Sequence, residues 1–251
     1  MRNRLSLLGV LPLFLALVGS PLGCGSEKDS AVSCPAADEV RGQCAGVPQE
    51  PLCDEDSCTA GVDCAEVKAA HDDASLSAAR SSATAGTCIA LAPGSYGPVT
   101  LPAGVSLLGK SAELVSVKGV TVGSGQGSVV RGLTAGSGGV VVEAGAKVLI
   151  EAVRVSGAAA AGVQVAEGAT VMLLGSAIEG SAGDGVTVAD GAVVTIESTI
   201  VEGNAGPGLW AACSADCDCV APPDVAVQSS IVRDNHVGGI VLFGAKAWLS
   251  G

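Results

Sequence analysis

Residues 139–146 read GVVVEAGA, residues 162–169 read GVQVAEGA and residues 185–192 read GVTVADGA, three octapeptides 23 residues apart. The leading glycine recurs at Gly139, Gly162, Gly185 and Gly208, and again at Gly239 after 31 residues, the same spacing with eight added. Each is followed by an aliphatic residue and, two positions on, by a second apolar one: Val140 and Val142, Val163 and Val165, Val186 and Val188, Leu209 and Ala211, Ile240 and Leu242. That alternation turns both side chains of a pair to one face of a strand. A second glycine series, Gly145, Gly168 and Gly191, runs six residues behind the first. The two series predict that two corners of every coil are held by residues that tolerate positive φ. A repeat of this length with strand-type alternation is a coiled β-solenoid.

The N-terminus is read as a targeting segment. Arg2 and Arg4 precede an apolar stretch from Leu5 to Val18, long enough for a signal-peptide core and shorter than the roughly 20 residues that span a bilayer. Leu22-Gly23-Cys24-Gly25-Ser26 resembles the lipobox of bacterial lipoproteins, which implies a signal peptide over 1–23, acylation of Cys24 and a lipid anchor at the outer membrane or cell surface. The alternative is cleavage near Ser20 and release as a secreted protein.

After removal of residues 1–23 the chain carries 11 basic and 25 acidic side chains. So acidic a surface excludes nucleic acid and anionic lipid headgroups as expected partners. Residues 25–73 hold 12 of the carboxylates and three cations. This segment also carries Cys34, Cys44, Cys53, Cys58 and Cys64, while Cys88 opens the solenoid and Cys213, Cys217 and Cys219 stand together. In an oxidising compartment such density implies disulfides. A zinc site among the N-terminal cysteines has neither a nearby histidine nor paired CxxC spacing, so 24–62 is expected to be an acidic linker or small disulfide knot.

Between Asp63 and Ala85 the chain is rich in helix formers, with Asp63 as the expected N-cap and His71 on the helix surface. The run Gly86-Thr-Cys-Ile-Ala-Leu-Ala-Pro-Gly-Ser-Tyr96, followed by Val99-Thr-Leu-Pro-Ala-Gly-Val-Ser-Leu-Leu-Gly109, resembles the opening of right-handed parallel β-helix proteins of the pectate-lyase-like class. The resemblance covers residues 63–251 and implies an all-β solenoid of about seven coils whose first coil is capped by a helix. A Cys64–Cys88 disulfide would pin that helix to the first strand. An uncovered first coil would leave strand edges in water, so a cap is also physically required. At the other end Phe243–Gly251 begins another coil without a capping helix. Truncation or incomplete capping is the preferred reading, over cover by Phe243 and Trp248 or docking on a partner.

Enzymes of that class gather several carboxylates with Arg or His on one outer face. Aligning the coils stacks Glu179, Glu202 and Arg233 in one column, with Asn204 next to Asn235 and with Asp234 and His236 beside them. In a lyase or glycosidase Glu202 or Asp234 would serve as acid or base and Arg233 would orient a uronate. The simpler reading is an ion pair and an asparagine ladder. Asp184 and Asp190 fall at expected corners, where Asp supports turns; Asp190 stacks on Glu167. The eight-residue expansion follows Trp210, an outward position, and contains Asp216 and Asp218 with the three cysteines. Solenoids grow loops where they bind something, so Trp210, Asp216 and Asp218 are the candidate binding residues. A metal site there would mix thiolate and carboxylate without histidine, an unusual set; one local disulfide, with the third cysteine bonded elsewhere, is expected. No metal or cofactor is expected. The combined expectation is a non-catalytic, envelope-anchored β-helix displaying a surface for carbohydrate or a cell-surface protein, with a polysaccharide lyase or hydrolase as the alternative.

Overall fold

The computed structural model describes residues 39–40, 43–48, 51–53, 58–125, 127–213 and 221–251, all within one compact unit, Cys34–Gly251. Its body is an all-parallel solenoid of three sheets. Sheet A has nine strands: Glu66–Ala70, Thr87–Leu91, Ser106–Leu108, Ser128–Arg131, Lys147–Glu151, Thr170–Leu174, Val193–Glu197, Asp224–Gln228 and Lys246–Ser250. Sheet B has seven: Gly94–Tyr96, Val115–Val117, Thr134–Ala135, Arg154–Ser156, Ala177–Glu179, Ile200–Glu202 and Ile231–Arg233. Sheet C also has seven: Val99–Leu101, Val120–Val122, Val140–Val142, Val163–Val165, Val186–Val188, Pro207–Ala212 and Gly238–Phe243. The chain visits A, B and C in turn seven times, and the extra strands of sheet A lie at its two ends.

Register follows the repeat: Val140, Val163, Val186 and Leu209 pair in one column, and all four are fully buried. Like stacks on like through a core built mainly of Val, Leu, Ile and Ala, with Tyr96 its one buried aromatic among the described residues.

The two glycine series do different work. Gly145, Gly168 and Gly191 have φ of 70°, 66° and 65°, and a side chain there would meet nothing closer than 3.4 Å. They are the predicted left-handed corners. In the leading series only Gly139 has positive φ; the expectation of a second such corner is corrected. At Gly162 a Cβ would lie 2.5 Å from Ile178 Cγ2, and at Gly208 2.5 Å from Val232 Cγ1, so these glycines are required by close approach of successive coils. Left-handed conformations recur where sheet B ends, at Gly157, Gly180, Gly203 and Asp234.

Beside that corner a polar ladder runs through the coils. The Ser181 N–H donates to Asn204 Oδ1 at 2.9 Å, and the Asn204 N–H and Nδ2 donate to Asn235 Oδ1 at 3.1 and 2.8 Å. A hydroxyl ladder occupies the preceding corner, where Val153, Ser176 and Thr199 N–H groups donate to Ser176, Thr199 and Ser230 side chains. These side chains satisfy backbone groups that no sheet partner reaches.

The cap differs from its sequence reading. Glu66–Ala70 is a strand paired in parallel with Thr87–Leu91, and the helix is Asp73–Ser81, N-capped by Asp72 and not by Asp63. The Ser75 hydroxyl donates to Asp72 Oδ1 at 2.6 Å, and with the Ser75 N–H it holds the Asp72 carboxyl below its usual pKa. His71 lies between strand and helix, exposed. Leu76 and Ala79 close the apolar cross-section. Tyr96 packs beneath them, its hydroxyl donating to the Ala70 and Ala92 carbonyls at 3.1 and 2.7 Å; burial raises its pKa.

The expected Cys64–Cys88 disulfide is present, tying the segment before the outermost strand to the first coil. A second disulfide joins Cys53 and Cys58. The described residues around it contact the corner between sheets A and B: Gly46 N–H donates to Ser198 O of the sixth coil, Leu52 N–H to Lys110 O of the second, and Arg131 Nη1 of the third to Ala60 O. At the far end Trp248 is 73% exposed and stands in register with Ala226 on the outer face, so it does not cover the inward positions Ala247 and Leu249.

Candidate functional site

A concave surface lies on the outer face of sheet C. Residues between the inward apolar pairs form an outward column, Val141, Gln164, Thr187 and Trp210, in strict register over four coils. Trp210, which is 37% exposed, is the one aromatic side chain of these four. One concavity of about 430 Å³ is lined by Trp210, Thr187, Glu167, Asp190 and Cys213, among others. A second, of about 330 Å³, is lined by Val141, Gln164, Thr187 and the corner residues Ala160 and Ala161. They share Thr187 and Ala189, so together they form a shallow groove crossing the strands.

Local folding places each group. Glu167 and Asp190 occupy the same corner position in successive coils, ahead of left-handed Gly168 and Gly191, and the Gly168 N–H donates to Asp190 O at 3.0 Å. Glu167 is exposed and Asp190 half-buried. Thr187 Oγ1 donates to Asp184 Oδ2 at 3.3 Å, which ties the groove floor to the opposite corner. Among the described residues no lysine or arginine lines either concavity. The arrangement offers one stacking face, a hydroxyl, an amide and an acidic rim.

Trp210 thus occupies the outward position its alternation predicts. Asp216 and Asp218 lie outside the described residues, as do Cys217, Cys219, Cys24 and Cys34; only the backbone of Cys44 is described. Cys213 is disulfide-bonded. The sequence reading missed that Glu167 and Asp190 share a concavity with Trp210. The signal was there, since all fall on the 23-residue spacing, but the groove emerges only when corner and strand are placed side by side.

The other candidate cluster lies on sheet B. The predicted column is observed, Glu179 pairing with Glu202 and Glu202 with Arg233. Arg233 Nε donates to Glu202 Oε2 at 2.6 Å and lies 4.0 Å from Asp234 Oδ2. Glu179 is turned to another cation, its Oε1 3.7 Å from Arg154 Nε, while Arg154 Nη1 is 2.8 Å from Glu113. Asp234 sits in the left-handed corner with 82% of its side chain exposed. His236 is exposed, its N–H donating to Asn204 O. The column therefore divides into two ion-pair groups, and neither groove concavity includes these residues.

Comparison with curated proteins gave no match, and comparison with solved structures gave none. The family model described as right handed beta helix region matches residues 103–250, more than half of the 251 residues and every coil after the first. With six of the seven consecutive turns of three parallel sheets inside that match, the chain belongs to the right-handed β-helix family.

Proposed function

We propose that this protein is a non-catalytic, envelope-anchored β-helix that binds carbohydrate in the groove of sheet C. The observation that carries the reading is Trp210, an exposed indole sharing one concavity with Thr187, Glu167 and Asp190. Sugar rings present apolar C–H faces with polar edges, and an indole flanked by hydrogen-bonding side chains matches both. The fold agrees, being common to pectate lyases and other carbohydrate-active or carbohydrate-binding proteins, although fold alone does not assign function. The anchor rests on Cys24. Cys24→Ser is expected to move the protein from the membrane to the soluble fraction.

A second reading, a polysaccharide lyase or hydrolase, rests on Arg233 joined to Glu202 with Asp234 beside it; His236 completes the set of candidate groups. One experiment separates the two: binding and depolymerisation across a polysaccharide panel, with Trp210→Ala and Glu202→Gln. The binding reading expects retention without cleavage, weakened about tenfold or more by Trp210→Ala and untouched by Glu202→Gln. Cleavage that Glu202→Gln abolishes would establish the enzyme.

A further inference from the structure

We infer that the groove takes an extended, aminated glycan lying along the solenoid axis, with one pyranose ring per coil. This rests on the carbohydrate-binding reading and specifies its ligand. The direction follows from the shape. The two concavities join end to end across the strands, whereas a chain running along a strand would leave the face after three residues, the length of Val163–Val165 or Val186–Val188. Along the axis a ligand meets Gln164, Thr187 and Trp210 in successive coils. Coils repeat every ~4.8 Å, close to the advance of one ring in an extended β-1,4-linked polymer. Trp210 then stacks on one ring while Thr187 and Gln164 hydrogen-bond to the edges of the next two.

Charge selects the polymer. Glu167 and Asp190 stand one coil apart on the same rim and both line the concavity that holds Trp210. Opposite charges this near the ligand favour it, and like charges oppose it, by energies that decide specificity. Successive rings of an extended β-1,4-linked chain are flipped, so every second ring turns its ammonium group to this rim, where it lies between the two carboxylates and is attracted by both. A polyuronate would bring its own carboxylates against them with no lysine or arginine among the described residues lining the groove to compensate. The acidic balance of the whole chain, −12, adds long-range attraction for a polycation.

The test is titration calorimetry of the full chain with glucosamine oligomers, cello-oligosaccharides and oligogalacturonates of increasing length. It is run at mildly acidic pH, where amines are protonated and carboxylates ionised. Glucosamine oligomers are expected to bind tightest. Their affinity should rise with length until about four rings, one for each coil of the outward column, and should fall as salt is added. Glu167→Gln/Asp190→Asn is expected to weaken them about tenfold, a clearly larger loss than for cello-oligosaccharides, because the amides keep hydrogen-bonding groups and lose only the charge; Trp210→Ala should weaken both. If the double variant fails to fold, Glu167→Gln alone, at an exposed position, gives the same comparison. Tightest binding of oligogalacturonate, indifference of glucosamine oligomers to the carboxylate changes, or no gain beyond two rings would overturn the inference. In each of those cases, loss of binding in Trp210→Ala would still uphold the carbohydrate-binding reading. Absence of binding to all three series would remove both.

Discussion

At the scale of single residues, glycine serves two unlike purposes at one sequence period. Gly168 is needed for its backbone, with φ at 66° and open space around it. Gly185 is needed for its missing side chain, since a Cβ would strike Val201 Cγ1 at 2.5 Å and the Gly208 carbonyl. The two therefore respond differently to alanine. Gly168→Ala is expected to cost about 1–2 kcal/mol from left-handed strain alone, while Gly185→Ala forces neighbouring coils apart and should cost roughly 3 kcal/mol or more. Denaturant titration of the two variants checks the order; equal losses would contradict the distinction. Spacing made both series visible, but the reason for each glycine depends on what stands in the adjacent coil.

At the scale of elements, the cap shows how tertiary pairing overrides local preference. Glu66-Val-Lys-Ala-Ala70 contains good helix formers, yet it lies beside Thr87–Leu91, an exposed strand edge in its absence. Hydrogen bonds to that edge outweigh a helix propensity worth only tenths of a kcal/mol per residue. The helix then starts where Asp72 and Ser75 form a capping box. Cys64–Cys88 staples the same junction across a sequence separation of 24. Cys64→Ala/Cys88→Ala is expected to cost about 3 kcal/mol and to expose the first coil, so protease should cleave the variant within the cap before the later coils. Cleavage spread evenly over the chain would show that the disulfide does not hold the cap.

At the scale of the whole molecule, each coil touches mainly its two neighbours, so stability is close to a sum over repeats. Removing residues 147–169 joins Ala146 to Thr170, a residue that already stacks on Lys147. The excised protein is expected to keep its β-sheet circular dichroism and to unfold cooperatively at a lower temperature, since the coils that Gly46 and Leu52 contact are then one coil closer together. Removing only 147–157 sets every later side chain out of step and should abolish cooperative unfolding. The groove is a property of this same scale. Its members, Gln164, Thr187, Trp210, Glu167 and Asp190, are legible as repeat positions, but their convergence on one concavity depends on how corner and strand pack. The Glu179, Glu202 and Arg233 column was legible too, yet packing divides it, because Arg154 draws Glu179 away. The contacts of Gly46 and Leu52 with the sixth and second coils left no trace in the pattern, because they are made through backbone groups that every residue possesses. Sequence alone determined the solenoid, its 23-residue coil and its inward columns, because a buried face imposes a period on side-chain type. Only the tertiary structure decided which glycines are steric, where the cap begins and which outward residues share a site, because these depend on distances between residues that the period places in different coils.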